Sequence, residues 1–299
     1  MRDLRYLSVL IKRFSNMKII ECPRDAIQGI STFISTEDKI RYINQLLRVG
    51  FDTIDFGSFV SHKSIPQLRD THKVLEGLET ESVSTKLLAI VANKRGAKEA
   101  CSFEKINYLG LPLSVSEKFQ NNNTNSSIQE FLHVVEETHN LARQHNKKMV
   151  VYLSMAFGNP YKEHYHPDIV CSMVEKLHNI DIDIIALADT IGVSNTQNIS
   201  SLFSLLTPEF EDIEFGAHFH SLPEESIDKI ESAYENGCRR FDGSIKGYGG
   251  CPMAQNEMVG NISTNELISF FPQEKLTINI SEFNIAVENF ENILTKIDL

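Results

Sequence analysis

The sequence predicts a single (β/α)8 barrel. From Met17 onward, short β-rich runs alternate with helical patterns, and eight such runs can be counted. Alternation of this kind means a parallel sheet. The 299 residues suit one closed barrel, a fold that takes about 250 residues. No GxGxxG follows the first run, which weakens an open dinucleotide-binding sheet as the alternative. No shift in composition marks a second domain.

The strands and helices read off in order. Residues 18–22 form the first strand candidate. Residues 35–50 read as a helix: Ser35 and Asp38 make a capping box with Asp in place of Glu, Ile40, Ile43, Leu46 and Leu47 share a face, and Gly50 suits the position just past the end. Strands follow at 51–56, 87–92 and 106–110. The polar stretch 120–127 reads as a loop. Residues 128–145 are amphipathic, with Phe131, Val135 and Ala142 on one side. A strand at 148–154 precedes a helix opened by Pro167 at its first position. The sixth strand is 182–188, and Asn195 or Thr196 caps the next helix. The seventh is 213–218. A helix over 223–236 ends at Gly237, and 238–242 is the last strand. Phe283, Val287, Phe290 and Leu294 give 281–297 a helical spacing.

Composition narrows the function. Lys and Arg number 29 against 40 Asp and Glu, a net charge of −11. That argues against general binding to nucleic acid or anionic membrane. Five widely spaced cysteines form no CxxC pair, which favours a reducing, intracellular setting over a disulfide framework. Cys22, Cys101, Cys171 and Cys238 fall in strand or helix patterns and read as inert buried thiols. No apolar run is long enough for a membrane span. Residues 1–16 carry Arg2, Arg5, Lys12 and Arg13 against Asp3 alone, a net +3 where the rest carries −14. They lack the apolar stretch and cleavage site of a secretory signal. They read as a poorly packed extension, or as an over-long start with Met17 as initiator.

A barrel of this type places its chemistry where strands end and loops begin. Arg24 and Asp25 follow the first strand, and Asp55 ends the second. Ser154 ends the fifth, Asp189 and Thr190 follow the sixth, and His218 and His220 close the seventh. Gly249-Gly250-Cys251-Pro252 and then Asn261 follow the eighth. In extended chain, residues two apart point the same way, so His218 and His220 can meet one ion. Asp25 and Asn261 would add oxygen donors, a set that suits Mg²⁺ or Mn²⁺. Glycines let the last loop close over a substrate, and Cys251 could donate or accept a proton there. The histidines His133, His139 and His145, six apart, read as a solvated or part-packed helix face, and His164 and His166 as loop residues.

These residues resemble a known family. Pro23-Arg24-Asp25 with Gln28, Ser58-Phe59-Val60-Ser61-x-Lys63 with Pro66-Gln67, Asn93-x-x-Gly96, Ser114-x-Ser116-Glu117, Asp189-Thr190-Ile191-Gly192-Val193, His218-x-His220, Gly249-Gly250-Cys251-Pro252 and Gly260-Asn261 span nearly the whole chain from about Lys18. The chain is similar to the 3-hydroxy-3-methylglutaryl-CoA lyases, within the metal-dependent aldolase and condensing-enzyme barrels. The resemblance implies divalent-metal-dependent cleavage of 3-hydroxy-3-methylglutaryl-CoA to acetoacetate and acetyl-CoA, a step of leucine degradation. It implies a Mg²⁺ or Mn²⁺ site of Asp25, His218, His220 and Asn261. It implies catalytic roles for Arg24, Asp55, Asp189, His218 and Cys251, with Asp189 or His218 as base and Cys251 as acid. Arg24, Gln28, Ser114, Ser154 and Thr190 would contact the substrate. Arg24, Lys63, Lys94, Arg95 and Lys246 are candidate cations for the coenzyme A phosphates, and a cytoplasmic homodimer is the implied assembly.

The chain departs from the family pattern at four places. Arg24-Asp25-Ala26-Ile27-Gln28-Gly29-Ile30 stands where the family reads Arg-Asp-Gly-Leu-Gln-Asn-Glu. Asp55 replaces a glutamate and is shorter by a methylene, which predicts a water between it and Arg24 or the metal shell. Asn159 stands between Gly158 and Pro160 in place of cysteine. Ser221-Leu222 follows the histidine pair in place of Asp-Thr, which removes a carboxylate that could orient a ligand histidine. The competing expectations are a related acyl-CoA lyase, a condensing synthase of the same barrel family, and a catalytically silent barrel serving as a binding subunit.

Overall fold

Eight parallel strands close on themselves in chain order, the last hydrogen-bonded to the first. They are β1 (Lys18–Glu21), β2 (Thr53–Ser58), β3 (Lys86–Ile90), β4 (Tyr108–Ser114), β5 (Lys148–Ser154), β6 (Ile184–Asp189), β7 (Glu214–Phe219) and β8 (Arg240–Gly243). The computed structural model describes residues 17–250 and 259–297. The expected extension 1–16 and the loop residues Cys251 and Pro252 lie outside the described residues.

Helices cover the barrel on its outer side. In chain order they are α1 (Pro23–Gln28), α2 (Thr36–Val49), α3 (Thr71–Glu76), α4 (Lys94–Cys101), α5 (Glu117–Thr124), α6 (Ile128–Gln144), α7 (Pro167–His178), α8 (Thr196–Glu209), α9 (Pro223–Glu235), α10 (Thr264–Phe270) and α11 (Ile280–Ile297). The local signals act as expected. Ser35 Oγ accepts from the Asp38 N–H, and Gly50 is left-handed past the end of α2. Asn195 caps α8 with a reciprocal box to Asn198. The last helix, α11, packs on α2, with Tyr42 stacked on Phe290 at 5.2 Å between centroids. The main core lies between strands and helices, and a smaller apolar cluster that includes Leu88, Val150, Tyr152 and Ala186 fills the barrel interior. No helix among the described residues is long and apolar enough to cross a membrane.

Four expectations need correction. Residues 120–127 are not all loop: α5 runs Glu117–Thr124, capped by Ser116 and closed by a left-handed Asn125. Its polar composition suggests a loop, yet buried Phe119 anchors it, and buried Gln120 accepts from the Ser114 N–H at 2.8 Å. Tertiary contact overrides propensity there. Asp55 does not end β2. The strand starts two residues later than expected and continues to Ser58, with a register shift against β3 between Asp55 and Gly57. His139 is buried and neither ring nitrogen has a partner, whereas His133 and His145 are exposed. Six residues rotate a helix by about 600°, so this spacing does not keep one face. Cys171 is half-buried, while Cys22, Cys101 and Cys238 are buried as expected.

One buried carboxylate ties β1 to the segment after β8. Glu21 accepts from the Ile245 N–H at 2.9 Å and from Thr264 Oγ1 at 2.5 Å, so it holds the chain on both sides of the loop that follows β8. Burial pushes its carboxyl up to about 8 against the pull of those two bonds. A folded-state value raised above the unfolded one gives stability that is complete below the unfolded value and is lost as pH rises through the folded one. Glu21→Gln, uncharged at every pH, is expected to melt like wild type near pH 5 and to melt higher than wild type at pH 9. Parallel pH dependence of the two melting temperatures would contradict this.

Candidate active site

The site sits at the C-terminal end of the barrel and draws on β1, β2, β7 and the segment after β8. The turn from β1 into α1 delivers Arg24 and Asp25, both buried. Pro23 opens α1 at its first position, where a missing N–H costs nothing. Arg24 reaches Asp55 on β2 from Nε at 3.0 Å and Nη2 at 2.5 Å, and its Nη1 donates to Asp25 at 2.8 Å and to Gln28 Oε1 at 3.0 Å. The shorter side chain of Asp55 therefore needs no water to meet Arg24. The bulge beside Asp55 accompanies this direct contact.

Asp25 is the most heavily bonded carboxylate of the site. Its Oδ1 accepts from Arg24 and from Gln28 Nε2 at 2.6 Å, and its Oδ2 accepts from Asn261 Nδ2 at 2.5 Å. Burial alone would raise this carboxyl. Arg24, His218, His220 and the Asn261 bond outweigh it and hold Asp25 below the usual range. Asp55 shows the opposite balance: burial pushes it up to about 6 despite Arg24.

Asn261 is placed by backbone rather than by a regular strand. It forms an antiparallel bridge with His220, supported by Ser221 N–H to Gly260 O at 2.9 Å and Ile262 N–H to Phe219 O at 3.2 Å. Its Nδ2 also donates to Tyr248 O at 2.9 Å, which leaves Oδ1 as the donor atom for an ion. Gly249 lies hard against this group at φ +107°. A Cβ there would stand 2.5 Å from Asn261 Nδ2 and 2.8 Å from the Asp25 carbonyl oxygen. Only glycine fits that approach.

Each histidine has one nitrogen fixed and one left over. His220 Nδ1 lies 3.1 Å from Thr190 O, so it carries the proton, and its Nε2 is buried without a partner. Burial and neighbouring His218 keep the ring neutral by lowering its pKa. His218 Nδ1 lies 3.2 Å from Asp242 Oδ2 on β8. Burial opposes protonation of His218, but the Asp242 carboxylate outweighs it and raises the pKa. Ligand atoms of Asp25, His218 and His220 lie within 4.8 Å of one another. An orphaned imidazole nitrogen, a second imidazole with its far nitrogen anchored, a carboxylate held ionised and an amide oxygen fit a divalent ion with mixed nitrogen and oxygen ligands.

Asp242 was not apparent as a site residue in the sequence. The carboxylate missing after the histidine pair is supplied from β8, one strand away, and a backbone carbonyl serves His220. The available signal was an aspartate at the end of the last strand; nothing local linked it to His218.

Other expected residues border this cluster or lie farther from it. Asp189 ends β6 with both oxygens engaged, accepting from the Val193 and Ser194 N–H groups at 2.9 Å each. Thr190 contributes its carbonyl to His220, and its hydroxyl accepts from the Met155 N–H at 3.0 Å. Ser114 lies on β4 with its hydroxyl 3.4 Å from Ser154 O, and neither residue is seen to bond to Arg24 or Asp25. Asn159 organises its own turn by accepting from the Tyr161 and Glu163 N–H groups. Among the candidate cations, Lys94 pairs with Glu137 and Lys246 with Glu291, while Lys63 and Arg95 are exposed. Cys251 lies outside the described residues.

Comparison with known proteins gives matches over most of the chain. The HMGL-like family model matches residues 16–289. The hydroxymethylglutaryl-CoA lyase of Bacillus subtilis is 34% identical over 258 residues, covering 86% of this chain and 85% of the relative. A 3-hydroxy-3-isohexenylglutaryl-CoA/hydroxymethylglutaryl-CoA lyase of Pseudomonas aeruginosa is 30% identical over 82% of this chain and 81% of its own. The crystal structure of the B. subtilis HMG-CoA lyase superposes with a TM-score of 0.87 at 32% identity, over 95% of this chain and 94% of that one. An Acinetobacter baumannii HMG-CoA lyase in complex with coenzyme A and 3-methylmalate gives 0.85 at 29% identity, over 94% and 92%.

The anchoring of His218 can be tested alone. Asp242→Asn keeps the shape but removes the charge that holds the Nδ1 proton. It is expected to weaken Mn²⁺ binding by about 10–100-fold, the usual cost of losing an outer-shell partner. Unchanged affinity by isothermal titration would show that Asp242 does not support the ligand.

Proposed function

The chain belongs to the HMGL-like family, and on that footing we propose that it cleaves 3-hydroxy-3-methylglutaryl-CoA to acetoacetate and acetyl-CoA with the help of a divalent ion. It is a carbon–carbon lyase. The observation that carries this reading is the convergence of Asp25, His218 and His220, with Asn261 bonded to Asp25, beside the buried Arg24 guanidinium. These four residues would hold Mg²⁺ or Mn²⁺. A bound ion would supply Lewis-acid polarisation of the substrate's tertiary hydroxyl and lower its pKa.

The chain's own groups account for the rest. The hydroxyl proton needs an acceptor. Asp189 has both oxygens accepting from backbone amides. Asp242 fixes the Nδ1 proton of His218 and leaves one lone pair, on Nε2, so His218 takes the hydroxyl proton only where that nitrogen is off the ion. When the bond between C2 and C3 breaks, its electron pair passes to the thioester as an enolate. Arg24, held by Asp55 and Asp25, stands ready as a rigid cation for that charge. Cys251 is assigned the role of acid that protonates the acetyl-CoA carbanion. That role, and substrate contact by Gln28, Ser114, Ser154 and Thr190, rest on the family resemblance. So do the place in leucine degradation, the homodimer and the cytoplasmic setting.

The test is acetoacetate release from 3-hydroxy-3-methylglutaryl-CoA by the purified chain. Release is expected with Mg²⁺ or Mn²⁺ and is lost with chelator. Cys251→Ala is expected to lower it by about two orders of magnitude, the scale of general acid catalysis. No acetoacetate from metal-loaded wild type would overturn the reading.

A further inference from the structure

A second donor set lies behind His218, toward the barrel interior. Cys22 follows β1, His218 is on β7 and Asp242 is on β8, and these strands are neighbours because the barrel closes. One ligand atom from each of the three residues lies within 4.8 Å of the others. All are out of water: the side chains of His218 and Asp242 are 12% and 1% exposed, and Cys22 is buried. Asp242 Oδ1 is buried without a hydrogen-bond partner. The Cys22 thiol makes a single long contact, 3.7 Å to Ile20 O. The proposed lyase reaction uses neither the thiol nor this oxygen.

The chemistry of this set differs from that of the first. Asp25, Asn261 and the outer face of the histidines offer oxygen and imidazole, which suit Mg²⁺ or Mn²⁺. The inner set offers sulfur, nitrogen and oxygen, which suits zinc and its softer congener cadmium. The 3.2 Å between His218 Nδ1 and Asp242 Oδ2 is close to one edge of a tetrahedron with bonds of about 2.0–2.2 Å. Three protein ligands would leave a fourth position for solvent.

We propose that Cys22, His218 Nδ1 and Asp242 form a binding site for a thiophilic divalent ion, separate from the Mg²⁺ or Mn²⁺ site and sharing its His218 ring. Binding releases the thiol proton to solvent and shifts the proton of the neutral His218 ring from Nδ1 to Nε2. The ion takes the nitrogen that Asp242 otherwise anchors, so occupation of the inner site weakens the outer one. Zinc or cadmium would then act as an antagonist of the catalytic ion rather than as its substitute. This goes beyond the lyase reading and does not depend on turnover.

The experiment is a cadmium titration of the metal-free full chain, followed by the ultraviolet charge-transfer absorption of a cadmium–thiolate bond. Wild type is expected to develop the band up to one equivalent. Cys22→Ser is expected to lose it while still binding Mn²⁺ as wild type does. Asp242→Asn, which keeps the thiol, is expected to bind cadmium about 10-fold or more weakly. No band in wild type would overturn the proposal, as would a full-strength band in Cys22→Ser. Should Cys22→Ser fail to fold, Asp242→Asn decides: unchanged cadmium affinity there overturns the site. X-ray absorption of zinc-loaded wild type gives a further check, since a first shell without sulfur contradicts it.

Discussion

The hydrogen bond from Asn261 to Asp25 joins residues 236 positions apart, and most of the site depends on it. It can form only because β8 pairs with β1 and closes the barrel. Closure brings the turn after β1 beside the chain that follows β8. Glu21 then ties that chain down at Ile245 and Thr264, and the bridge to His220 seats Asn261 between them. Glycine at 249 is a consequence: the chain must pass within contact of both Asn261 and the Asp25 backbone. Site and closure are thus one structural event, and a fault in the β1–β8 seam would disable the chemistry before it unfolded the rest.

Charge balance explains why this arrangement invites a cation. Asp25 and Asp55 are both buried, and they share the single guanidinium of Arg24. Asp242 adds a third buried carboxylate, offset by its bond to His218. Buried charges without compensation are costly. Arg24 can neutralise only one of its two partners. The raised carboxyl of Asp55 and the lowered one of Asp25 show how that tension is shared, since Asp25 also has the histidines and Asn261. A divalent ion beside Asp25 would relieve the remaining excess. It would also engage the orphaned nitrogen of His220. The same logic makes Arg24 a poor position for lysine, whose three donors cannot replace the four bonds that Arg24 makes to Asp55, Asp25 and Gln28.

Much of this was legible in the sequence, and the reasons differ by residue. Strand and helix alternation gave the barrel because periodicity is local. Ser35, Asn195 and Pro167 marked helix starts because caps act within a few residues. His218 and His220 were visible because residues two apart on a strand share a face. Asp242 was hidden because its partner is 24 residues away on the adjacent strand. Asp189 carries two readings at once: an aspartate at a strand end can serve a reaction or close a turn, and its oxygens accept from the turn's backbone N–H groups. Helix α5 was missed because its stability comes from Phe119 and Gln120 packing inward, which composition does not show. The family motif, in turn, suggested that Ser221 cost the site an orienting carboxylate; the fold supplies one from elsewhere.

The central claim is that four residues from the two ends of the chain hold one ion. The direct measurement is Mn²⁺ binding followed by electron paramagnetic resonance in wild type, Asp25→Ala, His220→Ala and Asn261→Ala. One tight ion per chain in wild type is predicted, with loss of tight binding in Asp25→Ala and His220→Ala and a clear weakening in Asn261→Ala. Retention of one tight ion in folded Asp25→Ala and His220→Ala would place the metal elsewhere and contradict the account.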